Sequence, residues 1–60
     1  MELNFANEIL IRYSAFVDKC TVTGKYFWTA CVDGTFTNNG DSFNTVQEAF
    51  DDAIHYLIRQ

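Results

Sequence analysis

Apolar residues return at Val46, Ala49, Phe50, Ala53, Ile54, Leu57 and Ile58, the i, i+3, i+4, i+7 spacing of one continuous stripe along an α-helix. Thr45 stands before the stripe with Glu48 three positions on, a capping box in which each side chain satisfies a backbone N–H left unpaired at a helix start. The spacing predicts a C-terminal amphipathic helix. Upstream the period changes to two. Glu8 to Val22 and Lys25 to Asp33 are rich in strand formers, and Thr23-Gly24-Lys25 separates them as a turn. Asp33-Gly34 is a two-residue hairpin signal that leads into a short third strand at Thr35-Phe36-Thr37. Asn38-Asn39-Gly40-Asp41 makes a further loop before the helix cap.

Alternation on the first strand places Ile9, Ile11, Tyr13, Ala15 and Val17 on one face and Leu10, Arg12, Ser14, Phe16 and Asp18 on the other. The second strand sets Tyr26, Trp28, Ala30 and Val32 against Phe27, Thr29, Cys31 and Asp33. A two-residue turn at Thr23-Gly24 would put Val17 opposite Ala30 and Ala15 opposite Val32, gathering the more apolar sets on the face that meets the helix. A three-residue turn would mix the faces. The N-terminal segment reads two ways. Leu3, Ala6, Leu10, Tyr13 and Val17 fit helical spacing with Asn4 as cap, giving an α-β-β-β-α order, whereas Ile9, Ile11, Tyr13 and Val17 favour strand from about Glu8. The expected fold is α+β, a three-stranded antiparallel meander with one C-terminal amphipathic helix on one face and an N-terminal helix as the alternative, in a single small domain over residues 1–60.

Charge adds direction to this picture. The formal net charge is −4, and the acids and bases of residues 1–32 cancel. The excess belongs to Asp33, Asp41, Glu48, Asp51 and Asp52, set against Arg59 alone. Nucleic-acid affinity rests largely on Lys and Arg displacing counterions, so direct nucleic-acid binding is disfavoured. Met1-Glu2 offers no basic leader for a secretory signal, and no apolar run approaches the ~18 residues of a membrane span; the expectation is a cytoplasmic protein with no membrane contact.

Two surfaces remain as candidates. The outward helix face holds Glu48, Asp51, Asp52, His55 and Arg59, either a solvated exterior or an acidic docking surface to which Asp33 and Asp41 add charge. Like charges four apart at Glu48 and Asp52 carry a small penalty on an isolated helix. The sheet face away from the helix leaves Leu10, Phe16, Phe27 and Cys31 beside Arg12, Thr29 and Asp18, and soluble monomers rarely leave large apolar patches bare. A target protein, a second copy, or Met1 to Asn7 folded back with Leu3 and Phe5 as plugs would cover it. Cys20 and Cys31 match no zinc or redox spacing and read as free thiols acting as small, mostly buried hydrophobes, with a disulfide or reactive role as the alternative. Three ligating side chains on one exposed helix lack the convergence of a metal site, and the single histidine has no nucleophile beside it. No metal, cofactor or catalytic group is expected.

Three strands followed by a helix that opens Thr45-Val46-Gln47-Glu48-Ala49, with Ala49 and Ala53 spaced along it, resemble the N-terminal domain of HicB-type antitoxins, although that family's Pro-Asp-Leu-Pro-Gly segment is missing. The resemblance implies a protein that neutralises a toxin by direct contact without catalytic residues. Thr45, Ala49, Ala53 and Leu57 are also similar to the last helix of double-stranded-RNA-binding domains, with Val46 and Gln47 where that family grips phosphate with lysines. Lys25-Tyr26-Phe27-Trp28 together with the later Thr-x-x-Glu-Ala resembles a small phage inhibitor of host RNA polymerase. The expectation is a non-enzymatic acidic binding module, inhibitor or antitoxin-like, for a protein with a basic surface. Glu48, Asp51, Asp52, His55, Asp33, Asp41, Phe16 and Phe27 are its candidate contacts; an RNA-binding-type module or a structural homodimer is the alternative.

Overall fold

The N-terminal segment is a helix. The computed structural model describes residues 3–60, in the order α1 (Leu3–Arg12), β1 (Phe16–Lys19), β2 (Tyr26–Val32), β3 (Thr35–Thr37), α2 (Val46–Leu57). The strand expected from about Glu8 thus begins only at Phe16. Ile9 explains why: it is buried in one cluster with Trp28, Ala30, Ala53 and Leu57, and Leu10 and Tyr13 pack against that cluster. Helix propensity costs isoleucine under about 0.7 kcal/mol, less than burying its side chain returns. Ile11, an inward position had this been a strand, is 77% exposed.

What stops α1 is a Schellman arrangement. Ala15 N–H donates to the Leu10 carbonyl at 2.8 Å and Ser14 N–H to the Ile11 carbonyl at 3.1 Å, with Ser14 in the left-handed region at φ 51°. Glycine ordinarily takes that position, and its absence hides the helix end from a sequence reading.

The three strands form one antiparallel sheet in the order β1-β2-β3. Val17 lies opposite Trp28, not Ala30, because the hairpin loop is longer than a two-residue turn: Cys20 N–H donates to the Lys25 carbonyl at 2.8 Å and Gly24 N–H to the Cys20 carbonyl at 2.7 Å. The displacement is two residues, so the side chains of β1 and β2 keep their expected faces. After β3 the chain swings out and returns at Phe43, whose backbone exchanges two 2.8 Å hydrogen bonds with Tyr26.

α2 and α1 share the face of the sheet that carries Trp28 and Ala30. Ala49, Ala53, Ile54 and Leu57 bury the predicted stripe, and Val46 and Ile58 at its ends stay exposed. Leu10, expected on the opposite side, is drawn into this layer by α1. The Cα trace measures 31 × 26 × 15 Å, one helix layer on one sheet, and its thin dimension leaves the other face of the sheet uncovered by the described residues. Met1 and Glu2 lie outside the described residues, as does any plug formed by the Leu3 side chain; Phe5 belongs to α1 and is exposed.

Candidate functional site

Three cross-strand pairs, Phe16 with Thr29, Asp18 with Phe27, and Cys31 with Phe36, fix which side chains share the face away from the helices. Phe16 is 46% exposed and Phe36 73% exposed, with Phe27, Thr29 and Cys31 half-buried between them. Phe36 was not among the expected contacts. The signal for it lay in Asp33-Gly34: both residues have positive φ, 52° and 78°, as a type I′ hairpin requires. That turn sets Val32 opposite Thr35 and hence Phe36 opposite Cys31.

One end of this face opens into a hollow of about 260 Å³, lined by Cys20 and Thr23 from the β1–β2 loop, Phe27 from β2, and Asn38, Gly40 and Asp41 from the loop before α2. That last loop holds its shape by an Asx turn, Gly40 N–H donating to Asn38 Oδ1 at 2.9 Å. The Cys20 thiol is drawn below its usual value, first by the backbone N–H of Thr23, then by the Thr23 hydroxyl and the Val22 N–H. Both cysteines are free and half-buried, less enclosed than their composition suggested. They sit at opposite ends of the hairpin, since Cys20 pairs with Lys25 and Cys31 N–H donates to the Tyr13 carbonyl.

The acids of α2 are on the other layer and are engaged within the chain. Thr45 caps the helix: its Oγ1 accepts from Glu48 N–H and donates to Glu48 Oε1, both at 3.1 Å. The Glu48 carboxylate therefore meets the cap's hydroxyl where a capping box would send it to the backbone N–H. Gln47 Nε2 donates to Asp51 Oδ1 at 3.1 Å, and His55 Nδ1 donates to the Asp51 carbonyl at 2.8 Å. Asp52 departs from the expected outward position. It is half-buried, and its Oδ2 accepts from Trp28 Nε1 at 2.8 Å and from Asn39 Nδ2 at 3.0 Å. A second hollow of about 220 Å³ lies here, lined by Asn39, Asp52, His55, Tyr56 and Arg59, with no serine, threonine or cysteine in its lining.

The candidate residues thus divide between two layers. Phe16, Phe27 and Asp41 belong to the open face and its hollow, and Asp33 to the β2–β3 turn. Glu48, Asp51 and His55 lie along α2 with Asp52 turned toward the core. Among the described residues no group of three or more His, Cys, Asp or Glu is placed to hold a metal ion, and no helix is long and apolar enough to cross a membrane. The start of α2 presents Val46, Gln47 and Glu48, with no cation for a phosphate. Lys25 immediately precedes β2, whereas Arg12 ends α1 at the far end of the sheet. No protein-family model, curated protein or solved structure matches the chain.

Proposed function

We propose that this chain is a non-enzymatic binding module that docks a protein partner on the bare face of its sheet, in the manner of a small inhibitor or antitoxin-like protein that blocks a host enzyme or nuclease by contact. The observation that carries the reading is the pair Phe16 and Phe36, exposed on a three-stranded sheet whose helices both lie on the opposite side. Covering a phenylalanine side chain is worth about 1.5–3 kcal/mol, so a partner seated there gains from surface that the isolated chain leaves wet. The acidic helix face becomes the weaker candidate, because Asp52 is turned toward the core, where it accepts from Trp28 and Asn39, and among the described residues no exposed aromatic of the sheet lies beside Glu48 and Asp51 on that layer.

Affinity capture from the native host followed by mass spectrometry tests the reading. A partner recovered by the chain, lost on F16S/F36S and retained on E48Q/D51N, supports it. Retention by the serine variant together with loss on the helix variant would move the contact to α2.

A further inference from the structure

The proposed docking face has a polar end with its own chemistry. Asp18 is the cross-strand neighbour of Phe27 at the edge of the hollow, and Asp41 lines the hollow together with Phe27, so two exposed acidic residues belong to the surroundings of one aromatic side chain. Asp18 uses Oδ1 to accept from the Lys19 N–H at 2.9 Å, and Asp41 Oδ2 meets Asn39 Nδ2 at 3.4 Å. Neither bond neutralises charge. Lys19 lies on the opposite face, its Nζ 5.8 Å from the centre of the Tyr26 ring, and Lys25 stands at the hairpin end, where its carbonyl accepts from Cys20 N–H.

We infer that this hollow receives the arginine or lysine side chain of a protein partner whose neighbouring apolar residues lie on Phe16 and Phe36. The inference rests on the docking role proposed for the face. A long cationic side chain suits the site because its methylene stem packs on an aromatic ring while its head reaches flanking carboxylates. Spacing agrees with an extended partner: Thr29 and Cys31, opposite Phe16 and Phe36, lie two and four residues beyond Phe27 on β2, and inward side chains of a strand recur about every 6.6 Å.

A second copy fits this face less well. A symmetric pair would bring together two chains that each carry a net charge of −4, whereas a cationic partner complements it.

The test is a titration of the ¹⁵N-labelled full chain, followed by NMR, with the peptide acetyl-Arg-Ser-Val-Ser-Phe-amide and its citrulline counterpart, which keeps the shape of arginine and removes the charge. The arginine peptide is expected to bind at least about five-fold more tightly, with shifts at Asp18, Cys20, Phe27 and Asp41. D18N/D41N should erase that difference and E48Q/D51N should leave it. Equal binding of both peptides with shifts at Phe16 and Phe36 overturns the inference and keeps the docking role; so does a preference for arginine that survives D18N/D41N. Binding of neither peptide overturns both. Sedimentation that rises with concentration and reverts on F36S would give the face to a second copy and likewise overturn the cationic partner.

Discussion

Trp28 Nε1 donates a 2.8 Å hydrogen bond to Asp52 Oδ2, tying the most enclosed aromatic of the sheet to the middle of α2. Trp28 is 1% exposed, and its ring stands 5.3 Å from that of Tyr56 at an interplanar angle of 54°, a tilted contact of the kind aromatic pairs prefer. Asp52 therefore serves the fold.

Asp52→Ala leaves the indole N–H without its acceptor and removes the anchor of Asn39. An unsatisfied buried donor costs about 1–3 kcal/mol, so the midpoint of urea unfolding should fall by a corresponding amount. Asp52→Asn keeps an oxygen for the indole and should lose less. Equal midpoints for the alanine variant and the parent would show that the bond contributes nothing.

Ala53 is fully buried between α2 and the sheet. Ala53→Asp would place a charge with no partner in that layer, a penalty of several kcal/mol. A chain of this length holds only about 3–9 kcal/mol of total stability. Far-ultraviolet circular dichroism at 25 °C should report an unfolded chain, and a folded spectrum would contradict this packing.

Much of this architecture is legible in the residues, and the failures have physical causes. α2 was readable because stripe, cap and length agree on one element. The Asp33-Gly34 turn was readable because few residues accept positive φ at two successive positions. α1 was obscured because Ile9 and Ile11 favour strands locally and Ser14 occupies a glycine position; only the long-range contact of Ile9 with Trp28 decides the matter. Asp52 misled because helical period alone assigns it to the exterior, one step beside the stripe. The missing signal was Trp28 itself, since an indole N–H inside a core needs an acceptor. Of the binding face, Phe16 and Phe27 followed from alternation, whereas Phe36 required the register of β3 and Asp41 the path of a loop that no periodicity describes.

Ser14→Gly should stabilise the chain. A left-handed backbone costs a non-glycine residue about 1–2 kcal/mol, and Ser14 carries that cost at φ 51°. Part of the gain is offset by the greater freedom of glycine in the unfolded chain, leaving a rise of roughly 0.5–1 kcal/mol in chemical denaturation. A fall would mean that the serine side chain has a role in ending α1.

Cys20 should alkylate as a partly activated thiol. Hydrogen bonds from the Thr23 N–H and hydroxyl and from the Val22 N–H favour its thiolate, which is the reactive form. The pH profile of iodoacetamide labelling in the folded chain should therefore have its midpoint below that of the same residue in urea, where the value returns to about 8.5. Thr23→Val removes the hydroxyl and should move the folded midpoint part of the way back.

F16S/F36S should separate folding from docking. Phe36 is 73% and Phe16 46% exposed, so neither is a core side chain; the main cost is the weaker strand preference of serine, on a scale that spans about 1 kcal/mol. Urea unfolding should shift by less than that amount at each position, because Phe16 faces Thr29 and Phe36 faces Cys31 with no layer above them. If the phenylalanines instead held the sheet together, the loss would approach the roughly 3–5 kcal/mol typical of truncating a core aromatic. The bare face would then be part of the fold's own support, and a partner would gain nothing by covering it.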